Sequence, residues 1–101
     1  MNDDEIKIML KNFLDEKEKL KAFPAKRKRK LYALIYLSGK LETGREYTER
    51  EINEVLSNWH TFADPAMLRR ELYNYRFFDR SKDGRVYRLA GKQPLTEELG
   101  L

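Results

Sequence analysis

The chain has 101 residues, no cysteine, one histidine and 38% charged residues, which suits a single compact domain. Disulfide scaffolds, thiolate metal sites and histidine-cluster metal sites are excluded. No apolar run reaches the length of a membrane span and no signal-peptide core follows Met1, so a soluble, cytoplasmic chain is expected.

The net charge of +4 hides an asymmetry along the chain. Residues 21–50 carry nine bases against three acids, and residues 69–92 carry eight against three. Between them, residues 51–68 carry Glu51, Glu54 and Asp64 and no base. A surface polarised in this way fits a polyanionic partner such as nucleic acid. A solvated lysine-rich surface would give the same composition.

In chain order, Asp3 and Asp4 are candidate caps for a first helix within residues 1–14. Its apolar positions Ile6, Met9, Leu10, Phe13 and Leu14 keep helical spacing. Residues 15–21 are too charged to pack tightly, with Leu20 and Phe23 as anchors, and Pro24 disfavours helix at Phe23. A second helix runs from Ala25 or Lys26 to about Lys40, where Gly39 or Gly44 ends it. Its stretch Leu31 to Leu37 is apolar nearly all round, as a central helix requires.

Glu46-Tyr47 reads as a short extended piece, and Thr48-Glu49-Arg50-Glu51 has the form of a capping box. The helix it opens places Ile52, Val55, Leu56 and Trp59 on one face. Asp64-Pro65 is a second start signal, with Asp64 as N-cap and Pro65 at the first helical position. The helix over 65–76 then buries Leu68, Leu72 and Tyr75. Residues 77–81 and 85–90 are strand candidates around the turn Lys82-Asp83-Gly84. The division expected is an N-terminal helix and linker over 1–19, a domain over 20–90, and a tail over 91–101 that either frays or docks.

The fold class is therefore α+β and mainly helical. Helix, short strand, helix, tight turn, helix and hairpin follow each other in the order of a winged helix-turn-helix. There the helix over 65–76 would enter the DNA major groove and the hairpin would form the wing. With Leu68, Leu72 and Tyr75 inward, Ala66, Arg70 and Tyr73 face outward, flanked by Arg69, Arg76 and Asn74. Arginine and asparagine can bind guanine and adenine edges bidentately, and the wing residues Lys82 and Arg85 can reach phosphate. The competing reading has Arg69 or Arg70 pairing with Glu71, Glu51 or Glu54 to stiffen the packing.

The run Lys26-Arg27-Lys28-Arg29-Lys30 opposes the dipole of the helix it opens, so helix stability does not account for it. Phosphate contact from Lys26, Lys28, Arg29 and Lys30 does, and a solvated basic face is the alternative. His60 suits a helix C-terminal cap better than a catalytic base. No serine has a nucleophile's context and there is no phosphate-binding glycine loop, so neither an enzyme nor a cofactor is expected.

The residues also carry a family resemblance. Phe23-Pro24-Ala25-Lys26, Arg29-Lys30, Tyr47-Thr48-Glu49, Glu51-Ile52-Asn53 and Leu56 resemble the bacterial domain of unknown function 2087. His60, Asp64, Leu68-Arg69-Arg70-Glu71-Leu72, Arg80 and Tyr87-Arg88 continue the pattern over roughly residues 20–89. The resemblance implies a small winged-helix domain, found alone or joined to ArsR-type regulators, with transcription-related DNA binding. The matching positions include Lys26, Arg29, Tyr47, Glu51, Asn53, Asp64, Arg69, Arg70 and Tyr87.

DNA is thus the first partner expected. The alternative is an interaction module whose basic face docks an acidic protein, with Tyr73 as apolar anchor. RNA ranks third, for want of an aromatic stacking sheet. A homodimer through residues 1–14 is a further expectation.

Overall fold

A computed structural model of the chain describes residues 2–101. Helices α1 (Asp3–Met9), α2 (Arg27–Ser38), α3 (Glu49–Ser57), α4 (Pro65–Asn74) and α5 (Thr96–Leu99) surround strands β1 (Tyr47–Thr48), β2 (Phe78–Arg80) and β3 (Val86–Leu89). The strands form one antiparallel sheet in the order β1-β3-β2, so the class is α+β as expected. Among the described residues, no helix is long and apolar enough to cross a membrane.

Helix α2 is the axis of the core. Leu31, Ala33, Leu34, Tyr36 and Leu37 are buried, and Ile52, Leu56, Leu68, Leu72, Phe77 and Phe78 close around them. Ile6 and Leu10, the latter fully buried, join the same core from the N-terminal segment. That use of α1 leaves Ile8 and Met9 as its exposed apolar residues.

The first helix is shorter than its periodicity predicts, and its cap is Asn2, whose Oδ1 accepts from the Glu5 amide, rather than Asp3 or Asp4. The reason lies just beyond it. Asp15 Oδ1 accepts from the amides of Lys17 and Lys19, both at 2.9 Å, closing a turn that competes with helix. The Lys19 amide foremost, with that of Lys17, holds the Asp15 carboxyl below the usual carboxylate range. Phe13 and Leu14 therefore lie in a hairpin-like loop, with Leu14 bridging Leu20. The charged stretch expected to be loose is tied down further by Lys7–Glu18, at 2.6 Å, and by the Tyr36 hydroxyl, which donates to the Glu18 carbonyl.

The capping box forms as read, with Thr48 Oγ1 accepting from the Glu51 amide and Glu51 Oε1 accepting from the Thr48 amide. Asp64 caps α4 by accepting from the Met67 amide at 3.1 Å. Helix α4 stops at Asn74, two residues before the expected end. Arg76 there adopts a left-handed φ of 67°, while its amide donates to the Tyr73 carbonyl and the Phe77 amide donates to the Leu72 carbonyl. These two bonds make a Schellman motif with arginine where glycine is usual, and they delay β2 to Phe78.

The hairpin pairs Phe78 with Leu89 and Arg80 with Tyr87, and Gly84 supplies the turn's positive φ. Strand β1 adds Tyr47 opposite Tyr87. The tail docks rather than frays. Gln93 Nε2 donates to the carbonyls of Phe77 and Ala90, Leu99 is buried, and Arg27 Nη1 donates to the Leu99 carbonyl at 2.7 Å.

Asp64→Ala should lower stability by about 1 kcal/mol in thermal or denaturant melts, because the Met67 amide loses its acceptor at the helix end. An unchanged melt would mean that the cap does not hold the start of α4.

Candidate nucleic-acid interface

The orientation of α4 is set by the turn that precedes it. His60 is 5% exposed and its ring spans that turn. Nδ1 lies 2.6 Å from the Leu56 carbonyl in the last turn of α3, and the Asp64 amide donates to Nε2 at 2.9 Å. One nitrogen must donate and the other accept, so the bonded form is the neutral ring protonated at Nδ1. The expected C-terminal cap on α3 is thus also a link to the N-cap of α4. From the other side, the Leu20 amide donates to the Trp59 carbonyl and the Thr61 amide to the Leu20 carbonyl, each at 2.9 Å.

On α4 itself, Leu68 and Leu72 are fully buried and Tyr75 is half-buried, so the helical wheel holds. Arg70, Tyr73 and Asn74 are exposed as expected, and Ala66 is partly covered. Among the described residues Arg70 forms no ion pair. Two of the three acids proposed as its braces are taken elsewhere, Glu51 by Arg45 and Glu54 by Arg50, and Glu71 forms no ion pair among the described residues. The Thr48 amide, then the Thr48 hydroxyl and Arg45, hold the Glu51 carboxyl below the usual range.

Arg69 lines the same face, but its guanidinium is taken up by α3. Its side chain is 13% exposed, with Nη2 at 2.9 Å from Glu49 Oε1 and Nη1 donating to Asn53 Oδ1. It braces α3 against α4, as the competing reading allowed, though through an acid that reading did not name. The geometry explains the split. Arg69 follows Leu68 on the flank turned toward α3, whereas Arg70 lies a further 100° round the helix.

The other candidates fall into two groups away from this face. Lys26, Lys28 and Arg29 are exposed at the N-terminus of α2, which has no side-chain cap and no acid in its first turn. Lys30 lies 5.9 Å over the Phe23 ring, and Arg27 is committed to Leu99. Leu99 also lines a groove with Tyr75, Arg76 and Lys92, so α5 stands at the junction between the basic run and the end of α4. Lys82 and Arg85 sit at the hairpin turn. Arg85 is 85% exposed with its Nε 3.8 Å from Asp83. The Ser81 hydroxyl, then the Arg85 amide, hold the Asp83 carboxyl below the usual range.

Arg80, matched in the family pattern but not among the expected site residues, joins this face. Its guanidinium lies 4.3 Å from the centroid of the Tyr73 ring, and one groove gathers Arg69, Arg70, Tyr73, Asn74, Arg80 and Tyr87. A second groove continues past Tyr73 and Asn74 to Arg76 and Lys92. The signal for Arg80 was available: period-two alternation puts it on the same side of β2 as buried Phe78, the side that meets α4.

Residues 19–89 match the model of a bacterial family described as an uncharacterized protein conserved in bacteria, domain of unknown function 2087. The chain belongs to that family. The matched span opens beside Leu20, closes at the end of β3, and so includes Arg70, Tyr73 and Arg80 but neither α1 nor α5. No curated protein and no solved structure matches the chain.

Arg69→Ala should cost about 1–3 kcal/mol, since Asn53 and Glu49 lose a part-buried charged donor. Arg70→Ala should stay within about 0.5 kcal/mol of the parent. Denaturant melts of the two variants test this pair, and equal losses would contradict the division of roles.

Proposed function

We propose that this protein is a winged-helix DNA-binding protein of the kind that serves in transcription regulation. Helix α4 lies in the major groove, the β2–β3 hairpin is the wing, and exposed cations at the start of α2 contact phosphate. The observation that carries this is the outward face of α4, where Arg70, Tyr73 and Asn74 stand exposed beside Arg80, with no ion pair to either arginine among the described residues. Arginine and asparagine have the donor and acceptor geometry for base edges.

Two further features support it. The succession α2, β1, α3, α4, β2, β3, with β1 paired to β3, is the order a winged helix needs. Glu49 is spent on Arg69 and Glu51 on Arg45, so neither neutralises Arg70 on the α4 face, which can attract a polyanion. Phosphate contacts position such a protein and base contacts specify its site, so the α2 cations and the α4 face would contribute differently.

Fluorescence anisotropy with a mixed-sequence duplex over a salt series tests the proposal. Affinity should fall steeply with salt, and Lys28→Gln with Arg29→Gln should flatten the log–log slope by roughly 2. Absence of affinity at low salt would reject DNA binding and leave docking of an acidic protein as the account of the same face.

A further inference from the structure

The cations around α4 differ in how far they are already ordered and in how many donors remain free. Arg69 is ordered, but its guanidinium is spent on Glu49 and Asn53. Arg85 has no aromatic support, is 85% exposed and has Asp83 close to its guanidinium. Lys82 is an exposed ammonium at the turn. Arg80 alone combines both properties needed for reading: its guanidinium carbon lies 4.3 Å over the Tyr73 ring centroid, and among the described residues it forms no ion pair or side-chain hydrogen bond.

Its backbone is fixed as well. Arg80 pairs with Tyr87 at the end of β2, and Tyr87 is 5% exposed. The stack removes much of the rotamer freedom that an exposed arginine would otherwise lose on binding, while leaving the planar fork of N–H donors open. Arg70 and Asn74 line the same groove.

We infer that Arg80 is a specificity-determining residue of this interface, donating to a base edge beside Arg70, and that the turn residues Lys82 and Arg85 contribute charge without sequence preference. This rests on the duplex-DNA reading above and adds to it which residue off α4 does the selecting. Lysine would keep the charge but lose the fork and the flat stack, so Arg80→Lys separates reading from attraction.

The test compares a duplex enriched from a randomised pool with a scrambled duplex of the same composition, by anisotropy at fixed salt. Arg80→Lys should weaken enriched-duplex binding more than scrambled-duplex binding, so that the ratio of the two affinities falls by about fivefold or more, with the fold intact in melts. Lys82→Gln with Arg85→Gln should weaken both duplexes alike and keep the ratio. Discrimination surviving Arg80→Lys, collapsing in the turn variant, or lacking in the parent chain overturns the inference while the DNA reading stands. A parent chain that binds no duplex overturns both.

Discussion

The imidazole of His60 is the contact on which the placement of α4 depends. Helix α3 ends with carbonyls and α4 begins with amides that need partners beyond their own helices, and the backbone of the turn supplies only part of them, the Trp59 amide donating to the Leu56 carbonyl. One buried ring serves both ends, taking the Leu56 carbonyl through Nδ1 and the Asp64 amide through Nε2. The two helices are thereby fixed in register as well as capped. Ala63 adopts a left-handed φ of 53° inside this turn, a strained state for alanine that the surrounding bonds must hold. Leu20 completes the arrangement by bonding on both sides of His60, which ties the connection before α2 to the α3–α4 turn.

With the turn fixed, the fate of each charge on α4 follows from geometry. The flank facing α3 meets acids, and Arg69 is neutralised there by Glu49. On the outward face Asp79 borders the groove beside Tyr73 and Asn74, and Arg70 forms no ion pair among the described residues. Helix α3 acts as a sink for cations near it, through Glu49, Glu51 and Glu54, each taking one arginine. The acidic middle of the sequence thus does not cancel the basic half uniformly. Helix α3 quiets Arg45, Arg50 and Arg69, whereas Arg70 and Arg80 form no ion pair among the described residues. The exposed pairs of Arg45 and Arg50 contribute little to stability, and their larger effect is on where net charge remains.

Much of this was legible in the sequence, wherever a short-range rule decides. The capping box at Thr48, the Asp64-Pro65 start, the glycine turn at Gly84 and the buried stripe of α4 depend on residues a few positions apart. Errors arose where distant partners decide. Periodicity alone extends α1 through Leu14, but Asp15 captures the following amides and Leu20 draws Leu14 into a bridge. The end of α4 was misplaced because arginine at a left-handed C-terminal position gives no glycine signal. Residues 91–101 have few anchors of their own, yet they dock through Gln93 on Phe77 and through Arg27 on Leu99, a partner 72 residues away. Arg80 was overlooked for a related reason, since its value comes from Tyr73 on another element.

The central claim, that His60 locks α4 by donating at one nitrogen and accepting at the other, is tested most directly by long-range proton–nitrogen NMR of the imidazole at neutral pH. A single neutral tautomer is predicted, protonated at Nδ1, with Nε2 bearing the shift of a hydrogen-bond acceptor and the Asp64 amide protected from exchange. An averaged signal from both tautomers, together with a rapidly exchanging Asp64 amide, would show that the ring does not bridge the turn and that the α4 face is not held as described.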